Sequence, residues 1–159
     1  MLRSFFGPRE KPVERVVQIY FSGTRFIVAA MHRSNAGIHY EQADPVVVEV
    51  RQPADLGAAF RTAFDAFSMR DRDLSTSKKS DWPAYVASGL PSMKAFEREY
   101  TTILCEGLNA SNAVVRASRV YPRDPEMALS ISFNPLLDAG EIGAMLLRLA
   151  RMDVAGSGV

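Results

Sequence analysis

At 159 residues the chain has room for one domain, and 47% hydrophobic with 23% charged residues is the balance of a soluble globular protein with its own core. A formal net charge of +1 spreads no field over the molecule, so a nucleic-acid surface would have to be a local patch, and nucleic acid is not an expected partner. The one cysteine, Cys105, excludes an internal disulfide framework and a Cys-x-x-Cys site, and no stretch approaches the roughly 18 apolar residues of a membrane span, so a cytoplasmic address away from membranes is expected.

Residues 1–13, with Pro8 and Pro12 among several charges, predict a loose arm. The β-branched and aromatic runs 16–21 and 25–31 predict two strands, and Ser22-Gly23-Thr24 between them suits a hairpin turn. A loop over 32–37 follows. Val46-Val47-Val48-Glu49-Val50 predicts a third strand, central in the sheet because it is apolar on both faces at most positions. From residue 54 the period changes: Leu56, Ala59, Phe60, Ala63, Phe64 and Phe67 fall on one stripe of a helix over 54–68, opposite Arg61, Thr62 and Asp65.

The charged run 69–73 cannot pack in a core, and the serine- and lysine-rich stretch 75–81 follows it. Ser80-Asp81 is placed to cap a short helix through Val86, with Pro83 in its first turn and Gly89 to end it. A second short helix after Pro91 would turn Met93, Phe96 and Tyr100 inward. Strands are predicted over 101–108, 113–120 and 128–133, with Cys105 in the core of the first. Asp138 and Glu141 form a carboxylate capping box ahead of the stripe Ile142, Met145, Leu146 and Leu149, in a helix over 138–151. The tail 153–159 should fray.

The result is a single α+β domain over 1–159, an antiparallel sheet with packed helices, divided into a unit at 16–68, a polar loop with short helices at 69–100, and a unit at 101–152. The two units look alike. Val46-Val47-Val48-Glu49-Val50 leads into Leu56-Gly57-Ala58 as Leu129-Ser130-Ile131-Ser132-Phe133 leads into Ile142-Gly143-Ala144, which suggests two pseudo-symmetric βββα units. Chance similarity between amphipathic elements is the alternative, since the loop lengths differ.

No residue spacing marks a catalytic or metal site, and no cofactor or enzymatic activity is expected. His32 and His39 lack further donors at ligand spacing and read as solvated loop histidines. Ser22 lacks the Gly-x-Ser-x-Gly frame of a strained nucleophile. Asp138 and Glu141 are better explained as caps than as a catalytic pair. Lys78, Lys79 and Asp81 have no glycines around them to make a phosphate loop, which leaves a solvated loop or an interaction surface. Trp82, Tyr85 and Val86 stand at i, i+3 and i+4 of the short helix, and burial of Trp82 as its anchor to the sheet is the commoner outcome for such a residue.

The segment Ser77-Lys78-Lys79-Ser80-Asp81-Trp82-Pro83-Ala84-Tyr85-Val86-Ala87-Ser88-Gly89, continued by Ser92-Met93-Lys94-Ala95-Phe96-Glu97-Arg98-Glu99-Tyr100, resembles immunity proteins of contact-dependent growth inhibition systems. The likeness covers about 75–150, and its motifs are not catalytic signatures. It implies a cytoplasmic protein that binds the C-terminal domain of a cognate toxin and neutralises it by stoichiometric occlusion. The contributing residues would be Ser77, Lys78, Lys79, Asp81, Trp82 and Tyr85. The near-neutral charge departs from the strongly acidic character of immunity proteins that mask basic nucleases, unless groups such as Glu41, Asp44, Glu49, Asp124 and Glu126 share one face. Two other readings stand beside this one: a small hydrolase or nuclease using Lys78, Lys79 and Asp81, which would need a histidine brought across the sheet, and a structural subunit of a larger assembly.

Overall fold

The structure is a computed structural model that describes residues 14–117 and 129–156. The calls at 1–13, at 118–120, at 128 and at 157–159 lie outside the described residues. Eight strands form one sheet: β1 (Arg15–Ser22), β2 (Arg25–Arg33), β3 (His39–Glu41), β4 (Val46–Glu49), β5 (Ser68–Met69), β6 (Thr101–Asn109), β7 (Asn112–Ala117) and β8 (Leu129–Phe133). Four helices accompany them: α1 (Pro53–Asp65), α2 (Pro83–Ser88), α3 (Met93–Glu99) and α4 (Ala139–Gly156).

The expected β1–β2 hairpin turns through Gly23 and Thr24, where Gly23 takes a φ of 57° that costs a glycine little. The sheet then runs β2-β1-β6-β7-β8, all antiparallel. On the outer side of this run, β4 pairs with the first part of β2, Arg25 to Val28, while β3 and the parallel β5 both pair with its last residues. The 46–50 run is therefore not a central strand. It ends at Glu49, pairs only with β2, and leaves Val46 and Val47 about two-fifths exposed. Apolarity on both faces reports which faces are covered, and only Val48 of this strand reaches the helix-side core.

The loop expected over 32–37 also starts late. β2 carries on through His32 and Arg33 because β3 and β5 offer partners for its backbone there. Pairing at β5 also stops α1 at Asp65, short of the expected 68. At the other end of the chain, α4 continues to Gly156, so residues 153–156 are helical rather than a frayed tail.

One face of the sheet packs against α1 and α4. Val17, Ile19 and Phe21 of β1, Phe26 and Val28 of β2, and Ile103 and Cys105 of β6 meet Leu56, Phe60 and Phe64 of α1 and Ile142, Leu146 and Leu149 of α4. Burial pushes the Cys105 thiol up, which leaves it an inert core group.

The two helices cross at glycines. A Cβ on Gly57 would stand 1.7 Å from the Ala139 carbonyl oxygen, and one on Gly143 would stand 1.7 Å from that of Pro53. The start of each helix is built alike. The Gln52 N–H donates to Asp55 Oδ2 (3.0 Å) ahead of α1, and the Asp138 N–H donates to Glu141 Oε2 (3.3 Å) ahead of α4. Asp138 also completes its expected capping box by accepting from the Glu141 N–H at 2.9 Å, which holds its carboxyl below the usual carboxylate range. Gln52, Pro53, Asp55 and Gly57 thus repeat the spacing and the roles of Asp138, Ala139, Glu141 and Gly143. The β1-β2-β4-α1 and β6-β7-β8-α4 runs meet at the β1–β6 pair, so the topology has the pseudo-symmetric form that the sequence suggests.

Candidate functional site

The second face of the sheet is only partly covered. Tyr20 and Ile27 are sealed by Ala84 of α2 and by Phe96 and Tyr100 of α3 and its C-cap. The Phe96 ring is the hub of this cluster, at centroid distances of 5.1 Å from Tyr20, 5.1 Å from Tyr100 and 5.8 Å from Tyr85. Beside the cluster, over β1 and β6, the sheet faces a cavity of about 710 Å³.

The polar segment forms the mouth of that cavity. Residues Lys79–Asp81 make one 3₁₀ turn, closed by the Asp81 side chain, whose Oδ2 accepts from the Lys78 N–H at 3.2 Å. Asp81 therefore caps this turn and not α2. Trp82 is the N-cap of α2 through its backbone, Pro83 opens the helix as expected, and Gly89 ends it at a φ of 70°.

The expectation that Trp82 is buried does not hold. Its ring is 40% exposed, with Lys79 Nζ 5.9 Å from its centroid. Two smaller features anchor the helix in its place: Ala84, fully buried, and Tyr85, half-buried and edge-on to Phe96. A proline at the first helical position turns the chain so that residue 84, and not 82, meets the sheet.

Of the six residues expected to bind a partner, Ser77, Lys78, Asp81 and Trp82 line the mouth together. Lys79 stands outside it and pairs with Glu97 of α3 at 3.0 Å. Tyr85 faces the aromatic cluster.

The histidines also differ from expectation. Both lie on strands and are part-buried: His32 ends near Ser68, its Nδ1 2.9 Å from Ser68 Oγ, and burial lowers its pKa. His39 lines the same cavity as Lys78 and Asp81, so no crossing of the sheet is needed to bring it there. It makes no hydrogen bond to either residue, and its Nε2 lies 3.8 Å from Glu14. Among the described residues no three His, Cys, Asp or Glu side chains converge as a metal site.

Sequence reading missed the polar junction at Glu41. Glu41, on β3, accepts from the Tyr20 hydroxyl at 2.5 Å and from the Ala84 N–H at 2.8 Å, which ties β1, β3 and α2 together under the cavity. Burial raises the pKa of both groups, and the neighbouring Glu41 carboxylate raises that of Tyr20 further. Glu41 is turned inward, Glu49 meets Arg25 at 3.5 Å, and Asp124 and Glu126 lie outside the described residues.

No helix among the described residues is long and apolar enough to cross a membrane. No family model matches the sequence, and no curated protein does. Solved structures share the fold. A protein of unknown function from Neisseria meningitidis superposes with a TM-score of 0.65 at 13% identity, covering 91% of this chain and 99% of that one. A chain of the CdiA-CT/CdiI toxin and immunity complex from Yersinia pseudotuberculosis superposes with a TM-score of 0.62 at 12% identity, covering 90% of this chain and 97% of that one. At such identities the likeness is one of fold.

Proposed function

We propose that this protein is an immunity protein of the contact-dependent growth inhibition type, which binds the C-terminal domain of a cognate toxin and neutralises it by stoichiometric occlusion, without turnover, metal or cofactor. The observation that carries the reading is the fold shared along nine-tenths of the chain with a component of a toxin and immunity complex. The sequence resemblance covers about 75–150, and the residues quoted for it, 77–89 and 92–100, belong to the segment that caps the second sheet face and presents Lys78, Asp81 and Trp82 around one opening. An exposed tryptophan among charged side chains is the kind of residue that anchors a protein interface, where a few aromatic groups supply most of the affinity.

The test is co-expression with the C-terminal domain of a candidate cognate toxin, sought first among the genes adjoining this one, followed by calorimetric titration of the purified pair. Protection that tracks a one-to-one ratio supports the proposal. Cell death at equimolar expression, or protection by trace amounts, overturns it.

His39, Lys78 and Asp81 lining one cavity is the observation that favours the competing reading, a small hydrolase or nuclease. Turnover of nucleic acid or ester by the purified protein, lost on His39→Ala, would establish that reading in place of the first.

A further inference from the structure

The cavity over β1 and β6 is lined by a part-buried carboxyl group, that of Glu41, with no cationic partner among the described residues. Its two hydrogen bonds come from a neutral phenol and a neutral amide, one to each oxygen. A carboxylate has about four acceptor positions, so each oxygen keeps one free. A carboxylate withdrawn from water without a counter-charge is unfavourable, and burial alone already raises its pKa. The aromatic residues Tyr20, Trp82, Phe96 and Tyr100 line the same space, the Trp82 ring with Lys79 Nζ 5.9 Å from its centroid. Aromatic rings attract a cation through their quadrupole, by about 0.5–2 kcal/mol each as water is excluded. The volume of about 710 Å³ lies inside the range of small-molecule sites.

We infer that this cavity is a binding site for a small organic monocation, an ammonium group on a short apolar body, with Glu41 facing the charge and the aromatic walls holding the body. The other charged side chains lining the space are Arg72, Lys78, Asp81, Glu97 and Glu106, of which Glu97 meets Lys79 and Glu106 meets Arg116. The inference stands apart from the toxin reading: it concerns a free ligand and needs no protein partner.

The full chain carries its own reporter, since Trp82 is its one tryptophan and lines the cavity. Trp82 emission would be titrated with 2-phenylethylammonium, 2-phenylethanol and phenylacetate at matched ionic strength, with calorimetry alongside. The expected result is saturable binding of the ammonium, at least tenfold weaker binding of the isosteric alcohol, and none of the anion. Glu41→Gln should bind ammonium and alcohol alike. Equal affinity of the native protein for the ammonium and the alcohol overturns the inference, as does the absence of saturable binding of the ammonium. This charge series on the native protein decides the matter whether or not Glu41→Gln folds.

Discussion

At the crossing of α1 over α4 two glycines leave no room for a Cβ, and an added methyl group there has a calculable effect. In Gly57→Ala the new Cβ would sit 1.7 Å from the Ala139 carbonyl oxygen, and in Gly143→Ala 1.7 Å from that of Pro53. Both obstacles are backbone, so relief requires one helix to move outward by about 1.5 Å, half the width of an ordinary carbon–oxygen contact. Overpacking of this kind costs about 1–3 kcal/mol or more. Replacing glycine by alanine inside a helix returns about 1 kcal/mol in propensity. With backbone obstacles that cannot rotate aside, the cost stands at the upper end of about 3 kcal/mol, so the net expectation is a loss of about 2 kcal/mol for each variant, or a Tm lower by about 4–8 °C for a domain of this size. Gly140→Ala, in the first turn of α4, is the internal control. Its Cβ would meet only Asp138 Oδ1 at 3.1 Å, a few tenths of an ångström too near, and a side-chain shift that small can keep the Glu141 N–H bond, so Tm should change far less than in the crossing variants. The two crossing glycines share one contact, so the double variant should lose less than the sum of the single losses. Thermal melts by circular dichroism measure all four proteins. A rise in Tm for either crossing variant, or strict additivity in the double, would refute the close crossing.

Three further expectations follow from the second face. Replacing Lys78, Lys79 and Asp81 together by alanine removes exposed charges, the Lys79–Glu97 pair and the Asp81 cap of the 3₁₀ turn, and should cost about 1–2 kcal/mol in all, while affinity for the toxin domain falls; a calorimetric titration showing unchanged affinity would remove this segment from the interface. Phe96→Ala empties the hub of the aromatic cluster and should cost about 3–5 kcal/mol, whereas Trp82→Ala, at a ring left 40% exposed, should cost less than about 2 kcal/mol; denaturant unfolding that reversed this order would contradict the placement of α2. Burial holds the Glu41 carboxyl above its ordinary 4.5, so the folded state takes up its proton more readily than the unfolded chain. Its contribution is fully present below pH 4.5 and is lost as pH rises through the folded value, so the Tm of Glu41→Gln relative to the native protein should climb above pH 4.5, and a difference flat with pH would refute it.

What the sequence makes legible here is whatever has a local period or a local cap. The β1–β2 hairpin, the stripes of α1 and α4, the Asp138–Glu141 box and the antiparallel α+β class all rest on residues within a few positions of one another. What escapes is tertiary. β3 and β5, of three and two residues, exist because the end of β2 offers them a backbone, and nothing in His39-Tyr40-Glu41 or Ser68-Met69 alternates long enough to announce a strand. The 46–50 run is apolar and β-branched enough to announce a strand, yet its neighbours in the sheet are not written in its own pattern. Glu41 is the strongest case. A single glutamate in a short polar stretch has no signature, and its role appears only when Tyr20, twenty-one residues earlier, and Ala84, forty-three later, each bring a donor to it.

The same division separates stability from function in this fold. The helix side of the sheet is closed by two long amphipathic helices locked at glycines, and substitutions there should be felt as changes in Tm. The other side is covered by α2 and α3, short helices joined to the sheet by one buried alanine, an aromatic cluster and the Glu41 carboxylate. Helices of six and seven residues have little stability of their own, so the cap keeps its place through those few contacts. A ligand or partner that engages Trp82 or Glu41 therefore acts on the least self-sufficient part of the structure. Amide exchange should show it: protection in residues 83–99 should be lower than in α1 and α4 in the free protein and should rise selectively on binding, whereas a uniform rise across the sheet would mean that the cap and frame are one cooperative unit.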